Sequence, residues 1–275
     1  MSWGYTEFNG PHTWHEIFPD ALGPRQSPID VVTSAVTSDT SLRSRPLAWR
    51  YVPDNCKAIA NPGYCWRLDV NGEGSELVGG PLQATYKLEQ FHAHWGPTSD
   101  KGSEHTVDGK CYAGELHLVH WNCDKYKTFG EAAGHPDGLA VLGVFLDAGP
   151  TDHPELEKIV SLIPSITHKG QTVTVSTPID PTKLLPENTH YWTYLGSLTT
   201  PPCTESVTWI LFKEPIQISE RQLSVFRSIK KHTEDEEIHC DAPGCEVDGC
   251  DGGFILQNFR PPLPAGEREI LMVRP

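Results

Sequence analysis

Short runs of alternating apolar and polar residues recur along the chain: Cys65 to Val70, Ala84 to Trp95, Gly114 to Asn122, Leu139 to Asp147, Gln171 to Ser176, Tyr191 to Leu195, Ser206 to Lys213 and Glu269 to Val273. Their lengths and their period of two predict β-strands. Helical spacing is rarer. His153 to Leu162 carries Leu156, Ile159 and Val160, with Ile163 following. Ser219 to Ile229 opens on a capping-box pattern, Ser219 with Gln222, before Leu223, Phe226 and Ile229. The first forty residues, rich in Gly, Pro, Ser and Thr, predict loop wrapped over the body. The expected fold class is therefore mainly β (α+β), a large sheet with short helices outside it. Alternation gives Leu139, Val141 and Gly143 one common face, and Val207, Trp209 and Leu211 another. It does not decide which row faces a cleft and which a core.

Two of these runs carry an unusual chemistry. His92 and His94 are one residue apart, so in a strand they point the same way, about 6–7 Å apart, with Gln90 on the same side. In Glu115-Leu116-His117-Leu118-Val119, Glu115, His117 and Val119 share a face. If the two strands are neighbours, three imidazoles converge, each with a polar residue placed to hold it. Three neutral nitrogen ligands with a fourth position open describe a catalytic zinc site better than a structural one. A lone pair of close histidines in a chain with 13 of them would be weak support; the third histidine with its glutamate strengthens the pattern.

Whole segments then resemble the α-class carbonic anhydrases, in order and nearly end to end. They include Arg25-Gln26-Ser27-Pro28-Ile29-Asp30, Gln90-Phe91-His92-Ala93-His94-Trp95-Gly96, Gly102-Ser103-Glu104-His105-Thr106-Val107, Glu115-Leu116-His117-Leu118-Val119-His120-Trp121-Asn122, Gly196-Ser197-Leu198-Thr199-Thr200-Pro201-Pro202, Val207-Thr208-Trp209 and Asn258-Phe259-Arg260-Pro261. The resemblance implies a strongly twisted, mostly antiparallel sheet of about ten strands with a Zn2+ ion at the bottom of a conical cleft. It implies that His92, His94 and His117 ligate the metal. Gln90 and Glu115 hold the first and last of these, and the backbone carbonyl of Asn258 holds His94. A hydroxide on zinc then attacks carbon dioxide to give bicarbonate and a proton, reversibly. Thr199 and Glu104 orient that nucleophile, and Glu104 is not the general base. Thr200 contacts bicarbonate or ordered water. Val119, Val141, Leu198 and Trp209 form an apolar pocket suited to a substrate without a net dipole.

At the position where the fastest relatives carry a proton-shuttling histidine, this chain has Tyr64, in Asn61-Pro62-Gly63-Tyr64-Cys65-Trp66. An unperturbed phenol titrates near 10, an imidazole near 6.5. The expectation is an active enzyme limited by proton export, with Pro62 and Arg67 altering the polar wall around it. The resemblance further implies inhibition by sulfonamides, and cis bonds before Pro28 and Pro202. Ordinary internal networks are expected for His105 and His120. The rival class is a catalytically silent binding module of the same fold; relatives of that kind lose metal histidines, whereas all three stand here.

Composition sets the remaining bounds. At 275 residues, 37% hydrophobic, with no linker between composition regimes and no repeat, a single domain over 1–275 is expected. A net charge of −14 argues against nucleic acid and anionic membranes as partners. With neither a signal-like leader nor a long apolar span, and eight Cys read as thiols, a cytoplasmic monomer is the expectation. Cys203 stands where secreted relatives place a bridging cysteine, but Ala21-Leu22-Gly23-Pro24 offers no partner. The stretch 232–253, acidic and holding His239, Cys240, Cys245 and Cys250, departs from the short family pattern. It reads as an inserted solvated loop, with thiol cross-linking or a second metal site as alternatives.

Overall fold

The three longest strands, Tyr86–Trp95, Gly114–Asn122 and Leu139–Gly149, lie side by side and antiparallel, and everything else is arranged around them. The computed structural model describes residues 3–236, 238 and 251–273; His239, Cys240, Cys245 and Cys250 lie outside the described residues. Thirteen strands form one mixed sheet. Its main path runs Thr172–Thr174, Cys56–Ala60, Arg67–Val70, Tyr86–Trp95, Gly114–Asn122, Leu139–Gly149, Val207–Phe212, Tyr191–Gly196, Leu271–Val273 and Thr37–Asp39. Among the described residues the parallel pairings in this sheet are Leu139–Gly149 with Val207–Phe212 and with Ile216–Ser219, and Leu271–Val273 with Thr37–Asp39. The rest are antiparallel, so the mostly antiparallel expectation holds, with three more strands than expected.

The eight alternating runs all form strands, with ends that differ from the expected ones by at most two residues. Alternation does not reveal Thr37–Asp39, Ala48–Arg50, Cys56–Ala60, Glu76–Val78 or Ile216–Ser219. Thr-Ser-Asp, for example, carries no apolar row; its pairing is supplied by Leu271–Val273, a tertiary choice that outweighs local preference. Both expected helices form, over Pro154–Val160 and Glu220–Phe226. Ser219 and Gln222 make the reciprocal capping box. His153 caps the other helix, its Nδ1 accepting from the N–H of Glu155 at 3.2 Å and of Leu156 at 3.3 Å. The peptide bonds before Pro28 and Pro202 are cis.

Register decides what alternation left open. Val141 pairs with Val119 on one side and Trp209 on the other, and Gly143 pairs with His117 and Leu211. His117 in turn pairs with His92. The row Leu139, Val141, Gly143 therefore lies on the face that bears the histidines. Leu116, Leu118, Ala140, Leu142 and Val144 point the other way, into the larger core beneath both helices. Gly114–Asn122 is buried at every position, so the histidine face is also covered, by Phe145, Trp192, Tyr194 and Trp209. Deep burial also surrounds His120, whose Nδ1 faces Ala140 O at 3.2 Å and whose Nε2 lies 2.8 Å from the Tyr51 hydroxyl.

Two consequences are measurable. A methyl group on Gly196 would come 2.0 Å from Ser27 Oγ and 2.8 Å from Trp209 Cδ1, so Gly196→Ala is expected to cost about 1–3 kcal/mol in urea unfolding. Burial pushes the His120 pKa down to about 4. The unfolded chain, with an ordinary value near 6.5, binds that proton first, so this contribution is present above pH 6.5 and lost as pH falls towards 4. Denaturation across that window should show a shallower loss for His120→Gln than for the parent chain.

Candidate metal centre

Cross-strand pairing places His92 directly opposite His117, and His94 opposite Glu115. The ring centroids are 5.1 Å apart for His92 and His94, 5.3 Å for His92 and His117, and 4.7 Å for His94 and His117. One ring nitrogen from each of the three lies within 4.8 Å of the others. His94 and His117 are buried; His92 keeps an edge towards the cleft.

The partners of the remaining nitrogens settle the tautomers. His92 Nδ1 lies 2.7 Å from Gln90 Oε1, and His94 Nδ1 lies 2.7 Å from the Asn258 carbonyl. Both oxygens can only accept, so each Nδ1 carries the proton and each Nε2 keeps its lone pair. His117 is turned the other way: its Nε2 donates to Glu115 Oε2, which leaves Nδ1 free. Two Nε2 atoms and one Nδ1 thus face one point. Desolvation drives the His92 pKa well down, with His94 and His117 adding to it. It lowers His94 to about 3, with His117 adding, and lowers His117 against the pull of Glu115. All three are neutral at physiological pH, so no proton competes for the lone pairs.

Glu115 holds more than His117. Its Oε2 also accepts from His105 Nδ1 at 2.8 Å, and its Oε1 accepts from the backbone N–H of Glu104 at 3.1 Å and of His105 at 2.8 Å. Burial alone would raise this carboxyl's pKa; the His105 and His117 rings outweigh burial and hold it well below the usual range. His105 continues the chain of contacts through Nε2 to the Tyr194 hydroxyl at 2.6 Å, and Tyr194 to Ser27 Oγ at 2.8 Å. Although His105, Glu115 and His117 also converge as a possible ligand group, these hydrogen bonds already satisfy them. The expected internal role of His105 has this concrete form.

Glu104 is fully buried. Its Oε2 accepts the Arg260 N–H at 2.8 Å. Its Oε1 lies 3.1 Å from His94 Nε2 without a hydrogen bond, and both atoms are buried without a partner. Desolvation, then the Glu115 charge, raise the Glu104 pKa, while Thr199 and Arg260 pull it back. With His94's proton on Nδ1, its unshared Nε2 is a donor set that fits a divalent cation. Thr199 is buried, and Thr200 is half-buried in the turn after Tyr191–Gly196. That turn is pinned by Leu198 N–H on Thr204 O at 3.0 Å, Cys203 N–H on Thr200 O at 2.9 Å and Trp209 Nε1 on Ser197 O at 3.1 Å. Val119, Val141 and Trp209 stand in one register row with Leu198 packed against their cluster. Trp209 also meets the His117 ring edge-on at 4.8 Å.

Tyr64 rests on Trp3, ring centroids 4.8 Å apart, within a cluster that includes Tyr5 and Trp14. Burial pushes its pKa up to about 12. Two features escaped the sequence reading. Asn258 does more than offer its carbonyl: its Oδ1 accepts from Trp95 N–H at 2.7 Å and its Nδ2 donates to Tyr64 O at 2.8 Å. Arg260 joins the N-terminal segment to the site, donating to Gln26 Oε1 and Ser27 O at 2.9 Å each and lying over Trp14. The quoted segment Asn258-Phe259-Arg260-Pro261 was the available signal. Cys56, Cys65, Cys111, Cys123 and Cys203 are free thiols, and no helix among the described residues is long and apolar enough to cross a membrane.

The profile of the eukaryotic-type carbonic anhydrases matches residues 9–274. The chain is 46% identical to carbonic anhydrase 7 of Homo sapiens over 271 residues, covering 98% of this chain and 96% of the relative. It is equally identical to carbonic anhydrase 7 of Mus musculus over the same lengths. With the register of the histidine strands, a matching profile along almost every residue and relatives aligned end to end, this chain belongs to the eukaryotic-type carbonic anhydrase family.

Proposed function

We propose that the chain hydrates carbon dioxide reversibly to bicarbonate and a proton, using zinc held by His92, His94 and His117, with proton export as the slow step. The observation that carries this reading is the set of three neutral imidazoles, each fixed through one nitrogen and aimed with the other at a shared point. When bound, zinc would supply Lewis acidity that lowers the pKa of water to about 7, the reference case for that effect being this enzyme class itself. The other steps belong to the protein. Gln90, Glu115 and the Asn258 carbonyl fix ring orientation and tautomer.

Thr199, which helps hold the Glu104 pKa down, would donate its hydroxyl proton to that carboxylate and leave its lone pairs to accept from the cleft side. Such an acceptor holds an oxygen that carries a proton and disfavours one that does not, which orients the nucleophile. Glu104 acts through Thr199 as a positioning residue. Carbon dioxide has no dipole to satisfy, so Val119, Val141, Leu198 and Trp209 can receive it while keeping water out. Thr200, at the more open edge, is placed for bicarbonate. No observation favours the silent binding module. The buried thiols of Cys56, Cys65 and Cys203 support a reducing, cytoplasmic setting.

The proton must then reach bulk water. A phenol held near 12 neither takes nor releases a proton readily at pH 7. Tyr64 is therefore a poor relay, and its packing on Trp3 limits its swing.

Elemental analysis of the purified chain should give one zinc at the three histidines. Removal by a chelator should abolish hydration in stopped flow, and zinc should restore it; full activity in metal-free protein would overturn the reading. Tyr64→His should raise maximal turnover about tenfold or more, within the usual range for general acid–base catalysis. Added imidazole buffer should accelerate the parent chain more than the variant. Turnover insensitive to both changes would remove proton export as the limiting step.

A further inference from the structure

Arg67 stands directly opposite His92 in the antiparallel pairing of Arg67–Val70 with Tyr86–Trp95, and Asp69 stands opposite Gln90. Opposed residues in such a pair project to the same face. A fixed cation therefore shares the cleft wall with the first imidazole. Its Nε donates to Asp69 Oδ1 at 2.7 Å, and its Nη2 reaches Oδ2 at 3.4 Å. The side chains are 35% and 43% exposed, so water weakens the pair. Asp69 thus sets the direction of the guanidinium and leaves its outer edge in reach of solvent.

A guanidinium has five N–H donors. Asp69 occupies two, which leaves three donors on a side chain that is partly exposed beside the first imidazole. Planar fork geometry matches a carboxylate better than any neutral group.

We infer that Arg67 forms an anion subsite on the cleft wall, selecting ligands that carry a carboxylate beyond the group seated at the three imidazoles. The subsite rests on the zinc reading above, because the first group must be anchored there. It gives this cleft a preference for organic ligands with a second, carboxylate charge over counterparts that lack it.

The test is calorimetric titration of the zinc-loaded full chain with 4-carboxybenzenesulfonamide, its 3-carboxy isomer, their methyl esters and benzenesulfonamide, at low and moderate salt. The parent chain should bind at least one acid more tightly than its ester, with the advantage shrinking as salt rises. Arg67→Gln should lose about tenfold of that advantage, the scale of a charge-assisted hydrogen bond, and Arg67→Lys should lose less. Benzenesulfonamide affinity should stay within about threefold across the three proteins on the same reasoning, which also reports that the variants fold and load zinc. An acid-over-ester advantage that is absent in the parent, or unchanged in Arg67→Gln, overturns the subsite. If benzenesulfonamide fails to bind the zinc-loaded parent, the metal reading falls and takes the subsite with it.

Discussion

The buried carboxylate of Glu115 is the constraint on which the rest of the site depends. It accepts from His117 Nε2, His105 Nδ1 and two backbone N–H groups, so a full negative charge is kept in the interior by four donors. Burying such a charge unpaired would be prohibitive. Paired in this way, it fixes the His117 tautomer, orders the 104–105 backbone that presents Glu104, and leads through His105 to Tyr194 and Ser27. One side chain thereby connects the three-histidine cluster, the buried carboxylate of Glu104 and the strand behind Thr199.

The sheet supplies the precision that this network uses. Because His92, His117, Gly143 and Leu211 fall in one cross-strand row, and Val119, Val141 and Trp209 in the next, imidazoles and apolar side chains are only two residues apart along each strand. A one-residue slip would turn every one of these side chains to the opposite face. The larger core beneath the helices resists such a slip, since it would bring Leu116, Leu118, Leu142 and Val144 to the histidine side. Packing remote from the three imidazoles is in this sense what aims them.

Much of this was legible in the chain itself. Alternation puts His92 with His94 and Glu115 with His117, and the spacing of Ser219 and Gln222 marks the capping box. The roles of Asn258, Thr199 and Glu104 rested on resemblance, because residues so far apart in sequence carry no local signal of meeting. Arg67 opposite His92 was illegible for a different reason: pairing register is a property of two strands, and each strand's pattern is compatible with several registers. Likewise, the polar Thr37–Asp39 strand exists only because an edge was there to receive it. The stretch around Cys240, Cys245 and Cys250 lies outside the described residues.

Asn258 has a consequence for how the site comes into being. Two of the three histidines sit on one strand and the third on its antiparallel neighbour, so most of the cluster comes from one stretch of chain. The His94 ring, however, is steadied by a carbonyl 164 positions later, near the far end of the polypeptide. The cluster is therefore complete only when that last stretch has packed against Trp95 and His94.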